Sequence, residues 1–130
     1  MIVVDASVIL EVLLVTPDAP SMEARIFAPG ETLHAPHLVD AEVAQVLRRY
    51  ARSGEFSPER GAEALTDLAD FPLHRYPHTF LLPRIWSLRD NVTAYDAAYL
   101  ALAEALAAPL LTRDRALAGA PGHGATVNVV

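Results

Sequence analysis

The stretch Ile2-Val3-Val4-Asp5 restricts the fold more than any other. Three β-branched apolar residues in a row read as a strand covered on both faces, as in a parallel sheet flanked by helices. In open sheets of that kind, ligands sit outside the carboxyl ends of the strands. Asp5 is then a carboxylate delivered to the rim of an apolar sheet, where its ionised form is costly unless something compensates it. Read alone, Asp5 serves equally well as a cap for the helix that follows.

The rest of the chain alternates between the same two kinds of element. Apolar residues over 7–15 predict a short helix, interrupted by Pro17 and Pro20, and a second helix starts at Asp18 or Ser21. A short strand is expected over 33–35. Pro36 then opens an amphipathic helix over 37–52, with its stripe at Leu38, Val39, Val43, Val46, Leu47 and Tyr50 and a stop at Gly54. Ser57-Pro58-Glu59 is a helix start. A strand follows over 73–76, then a helix over 79–88 in which Pro83 is tolerable only in the first turn. Thr93 and Asp96 form a capping box for a helix to about residue 107 that is apolar nearly all round and therefore buried nearly all round. A strand over 109–112, a helical turn and a last strand over 126–129 complete the pattern. The expected fold is a single α/β domain over 1–130: a three-layer, Rossmann-like sandwich with four to five parallel strands.

Four carboxylates stand out by position. Asp5 and Asp114 each follow an apolar strand, Glu42 interrupts an apolar helix face, and Asp96 opens the all-apolar helix. In a parallel sheet the strand ends and the following helix starts share one edge, so the four can converge. Each ionised pair ~4 Å apart would cost roughly 4 kcal/mol at an effective dielectric of about 20. Every one of the ten basic residues is Arg, so no lysine amine is available as partner, Schiff base or phosphate clamp. A divalent cation is the natural counter-charge, and an all-oxygen ligand set suits Mg2+, with Mn2+ as a substitute. The chemistry such a site supports is phosphodiester hydrolysis. The bland alternatives are a helix cap for Asp5, a capping-box acid for Asp96 and a turn residue for Asp114. The other twelve acids, among them Glu11 and Asp40, are expected to be solvated.

Composition removes further classes. There is no cysteine, hence no disulfide, thiolate zinc site or cysteine nucleophile. A net charge of −6 argues against a simple basic nucleic-acid module. No segment reaches the ~18 apolar residues of a membrane span, and Asp5 falls where a signal peptide would be apolar. The expected location is the cytoplasm. His34 and His37 lie close in sequence, but Pro36 between them breaks any trusted metal spacing. Ser7 has no His and Asp partners in a recognisable order.

The Val4-Asp5-Ala6-Ser7 start, the stretch around Glu42, the Thr93-Ala94-Tyr95-Asp96-Ala97-Ala98-Tyr99 block and the Leu111-Thr112-Arg113-Asp114 block together resemble PIN domains, most closely the VapC toxins of bacterial toxin–antitoxin pairs. The resemblance runs over essentially the whole chain. It implies a magnesium-dependent endoribonuclease that leaves 5′-phosphate and 3′-hydroxyl ends. It makes Asp5 and Asp96 the principal metal ligands, with Glu42 and Asp114 acting directly or through water. It also implies that Ser7 and Thr112 orient Asp5 and the metal-bound water, and that Asn91 and Tyr95 support the site. A VapB-type antitoxin and a homodimer are the implied partners. For the RNA phosphates, Arg89, Arg113 and Arg115 are the candidate contacts. Two other readings are phosphoryl transfer through Asp5 and a catalytically silent PIN-like binding protein. Most phosphoryl-transfer domains of the first kind need a lysine that this chain lacks.

Overall fold

The computed structural model describes residues Met1–Val130. Five parallel strands form one sheet: β1 (Ile2–Val4), β2 (Leu33–Pro36), β3 (Leu73–Tyr76), β4 (Leu110–Thr112) and β5 (Val127–Val129), in the order β3-β2-β1-β4-β5. Seven α-helices connect them: α1 (Ala6–Leu13), α2 (Ala19–Ile26), α3 (Leu38–Ser53), α4 (Pro58–Ala69), α5 (Leu82–Ser87), α6 (Ala94–Leu106) and α7 (Arg115–Ala118). The architecture is the three-layer α/β sandwich expected from the alternation of elements.

The apolar run at the start of the chain forms the middle strand. Val3 pairs with His34 on one side and with Leu110 on the other, and Val3 and Val4 are fully buried. Helices α1, α2, α3 and α4 pack on one another, while α6 lies along β1, β2 and β4 with α5 against it. Seven consecutive residues of α6, Ala97 to Ala103, are buried. This is the packing that a helix apolar all round requires. The order of strands reverses direction at β1, since the chain builds β2 and β3 to one side and β4 and β5 to the other. The carboxyl ends of β1 and β4 therefore flank the switch point, where open sheets leave a crevice.

Local chemistry sets most boundaries. Asp5 caps α1, Ser57 caps α4 and Thr93 caps α6, each through a side-chain oxygen that accepts a backbone N–H. Helix α3 has no cap from its own preceding side chain; the Leu38 N–H donates to Nε2 of His78, forty residues away. Gly54 ends α3 with φ of 79°. The helix expected over 79–88 divides into a 3-10 turn at Thr79–Leu81 and the α-helix from Leu82. Pro83 is the reason. It has no N–H to donate, so it must lie in the first turn, and the α-helix proper cannot begin earlier. His34 and His37 do not share a site. His34 is buried between the Thr32 hydroxyl and the Tyr76 phenol, at 2.7 and 2.6 Å, and stacks on His74, while His37 is exposed.

Two substitutions gauge these packing terms by chemical denaturation. Gly54→Ala meets no neighbour within 4 Å, so it isolates left-handed backbone strain and is expected to destabilise by about 1 kcal/mol. Leu100→Ala, deep in α6, is expected to remove about 2–5 kcal/mol.

Candidate metal centre

Asp5 is the most constrained carboxylate in the molecule. One of its oxygens accepts from the Ser7 N–H at 3.0 Å, the Val8 N–H at 3.3 Å and the Ser7 hydroxyl at 2.5 Å. The other accepts from the Thr112 hydroxyl at 2.5 Å. Both hydroxyls also accept: Ser7 Oγ from the Arg113 N–H and Thr112 Oγ1 from the Asp114 N–H, each at 3.0 Å. The end of β1 is thereby tied to the end of β4 through Asp5. The capping role and the site role are held by the same carboxylate, because a helix start at a strand's carboxyl end is where both are needed.

The other three acids surround it on separate elements. Glu42 lies on α3, half-buried on the apolar face, and accepts the Tyr99 phenol proton at 2.6 Å. Asp96 lies in the first turn of α6, where its backbone N–H donates to the Thr93 hydroxyl at 3.2 Å. Asp114 caps α7, accepting the Ala116 N–H at 2.9 Å. Asp96 and Asp114 line one cleft of about 580 Å³ with Arg89, Asn91 and Thr93. Glu42 and Ser7 line a more apolar groove of about 520 Å³ with Leu38, Gln45 and Tyr95. Tyr95 is 67% exposed at its rim.

The electrostatics show that the four acids sense one another. Burial raises the carboxyl of Asp5, and the hydrogen bonds from Ser7, Thr112 and the backbone oppose that rise only in part. Burial raises Glu42 as well; the Tyr99 phenol opposes this, and the charges of Asp5 and Asp96 add to it. Asp96 is raised by burial, then by Asp114 and Asp5, with Thr93 opposing. Desolvation and the adjacent Glu42 push the Tyr99 phenol far above its ordinary value, so it stays a proton donor. No guanidinium lowers any of the three raised carboxyls. The cluster is a concentration of negative charge without an internal counter-ion.

Several residues behave differently from the sequence reading. Arg113 is not free to meet a phosphate: it pairs with Asp18 at 2.8 Å and Glu11 at 3.6 Å and donates to the Val130 carbonyl. Arg89 and Arg115 form no ion pair. Glu11 and Asp40, expected to be solvated, are instead structural partners of Arg113 and Arg75. Glu104 is likewise held by Arg84 and by the Gly124 N–H. The sequence reading missed Tyr99. Its signal was present, since a phenol inside an all-apolar helix must find a hydrogen-bond partner, but the partner is 57 residues away. Asn91 packs against the loop at Gly122, a position with φ of 90° where any side chain would collide with the amide.

Comparison with known proteins gives the chain's family. The sequence pattern of the PIN domain matches residues 2–122. Ribonuclease VapC9 of Mycobacterium tuberculosis is 46% identical over 114 residues, covering 88% of this chain and 86% of that protein. Ribonuclease VapC1 of the same organism is 43% identical over 129 residues, covering 98% and 96%. Among solved structures, VapBC2 from Rickettsia felis, bound to a DNA fragment from its promoter, shares the fold with a TM-score of 0.69, 15% identity and coverage of 99% and 98%. The chain belongs to the PIN-domain family, and within it to the VapC ribonucleases.

The raised carboxyls set a pH dependence in the absence of metal. In the folded chain Asp5, Glu42 and Asp96 retain protons that the unfolded chain releases near pH ~4. Their contribution to stability is therefore complete below that value and is lost as pH rises through the raised values. Thermal melts in EDTA between acidic and neutral pH are expected to show this fall. Asp96→Asn removes one of the repelling charges, and is expected to raise the neutral-pH melting temperature and flatten the slope.

Proposed function

We propose that this protein is a magnesium-dependent endoribonuclease, the toxin of a toxin–antitoxin pair, cutting RNA to leave 5′-phosphate and 3′-hydroxyl ends. The observation that carries the reading is the set of four acids drawn from four elements around one strand end with no cation among them. None of the four pairs with an arginine, although Arg113, next in sequence to Asp114, pairs with Glu11 and Asp18. The family relationship to proteins named ribonuclease VapC supports the same reading.

The residues fit a hydrated hard cation. No three acids close on one point as a complete ligand cage. Waters would have to complete the shell of a bound ion, as they commonly do for Mg2+ held by one or two carboxylates. Asp5 and Asp96 would hold it, with Glu42 and Asp114 acting directly or through water. When bound, the ion supplies Lewis acidity toward the phosphate and lowers the pKa of a bound water. The protein's own part is positional. Ser7 and Thr112 fix both oxygens of Asp5, so it cannot swing away. Tyr99 holds Glu42 in place from the core side. Asp96 lines the cleft, and Arg89 brings unpaired positive charge for RNA phosphates beside it, with Arg115 next in sequence to Asp114 as a second candidate. Asp5, fixed by four hydrogen bonds over both of its oxygens, is poorly placed to act as a phosphoryl acceptor, which disfavours that alternative.

The VapBC2 neighbour supports a VapB-type antitoxin as partner, and a homodimer is proposed with it. Location in the cytoplasm is part of the same proposal; no helix is long and apolar enough to cross a membrane.

Purified, antitoxin-free protein is expected to cleave single-stranded RNA in Mg2+ and to stop in EDTA. Asp96→Asn is expected to lose about 100-fold or more, since the ion's contribution is several kcal/mol, while circular dichroism stays unchanged. Mapping of the cut ends checks the chemistry. Undiminished cleavage in EDTA would overturn the proposal. Tyr99→Phe frees Glu42 from its donor, so its carboxyl rises further. The acid limb of the pH–rate profile is then expected to move to higher pH.

A further inference from the structure

The lone tryptophan of the chain, Trp86 on α5, is 69% exposed. The guanidinium of Arg89 lies over its ring, 4.8 Å from the centroid, and donates to the Trp86 carbonyl at 3.1 Å. Arg89 forms no ion pair and lines the same cleft as Asp96 and Asp114. The pair presents an exposed indole and a guanidinium that no acid neutralises, held together by a cation–π contact. An apolar partner covering the ring would also have to desolvate the unpaired guanidinium, which opposes such a cover. A nucleotide meets both demands at once, because its base offers a face to the indole and its phosphate offers charge to the arginine.

We propose that Trp86 and Arg89 form a nucleotide subsite beside the acid cluster, where one unpaired base of the RNA stacks on the indole and the adjoining phosphate meets the guanidinium. The subsite rests on the nuclease reading and adds to it a specificity element. It requires a base free of a duplex, so it selects single-stranded or looped RNA. Arg89 is pre-positioned by the ring and the carbonyl, which reduces the freedom it loses on binding.

Because Trp86 is the only indole, its emission reports on this subsite alone. The experiment uses the full chain as the Asp96→Asn variant in Mg2+, titrated with a short single-stranded RNA carrying a 3′-fluorescein. Anisotropy of the label reports binding, and tryptophan emission is read in parallel with unlabelled RNA. The expected result is saturable quenching of Trp86 with the same Kd as the anisotropy. Trp86→Ala is expected to weaken binding about tenfold, and Trp86→Phe, which keeps a stacking face, much less. An RNA with a single abasic position under Trp86 is expected to lose that same factor with Trp86 present and little more with Trp86→Ala. Arg89→Ala is expected to lower the salt dependence of binding by about one phosphate contact. Three results overturn the subsite: RNA binding with unchanged emission, Trp86→Ala binding as tightly as its parent, or an emission shift that follows protein concentration without RNA, which would assign the ring to a second copy. Absence of both binding and metal-dependent cleavage in the parent chain is the distinct outcome that brings down the nuclease reading itself.

Discussion

Asp5 accepts four hydrogen bonds while facing three other acids, and the carboxyl edge of the sheet is organised by that conflict. Burial favours a proton on it; Ser7, Thr112 and the first turn of α1 favour its charge. The hydrogen bonds do not cancel the desolvation, so the anion is held in place rather than made comfortable. A side chain in that state is fixed in position while its charge stays only partly compensated. The same logic extends outward. Tyr99, buried and unable to lose its proton, keeps Glu42 oriented, and Thr93 anchors the turn that carries Asp96.

Much of this was legible from residue order. The strand at Ile2–Val4, the caps at Asp5, Ser57 and Thr93, the stop at Gly54 and the buried character of α6 all follow from local rules that the chain obeys. The location of the acids at one edge followed from the parallel sheet. Glu42 was conspicuous because a carboxylate within an apolar stripe has no local explanation. What stayed hidden were pairings between distant segments. Nothing near Arg113 in sequence says that Glu11 and Asp18 will claim it, and nothing near Glu104 points to Arg84. A local rule identifies a residue in need of a partner; only the fold supplies the partner.

All ten Lys-or-Arg positions of this chain are arginine, and the ion-paired ones are set apart from the acid cluster. Arg75, Arg84 and Arg113 stitch loops and helices to acids away from the centre. Arg89, which lines the cleft with Asp96 and Asp114, has no acidic partner, and neither have Arg25, Arg48, Arg49, Arg52 and Arg115. The separation keeps the acid cluster free of internal neutralisation while giving its surroundings the sign that a polyanion needs. A chain with a net charge of −6 can in this way present a locally mixed surface.

The bond between Asp5 and Thr112 spans 107 residues. During synthesis the first strand and the first acid are made well before the hydroxyl that fixes that acid, which follows 107 residues later, with Asp96 only shortly before it. A nascent chain therefore carries every hazard of an exposed hydrophobic strand and none of the finished centre. For a member of a ribonuclease family, made on a machine built of RNA, dormancy until β4 has been made is built into the strand order.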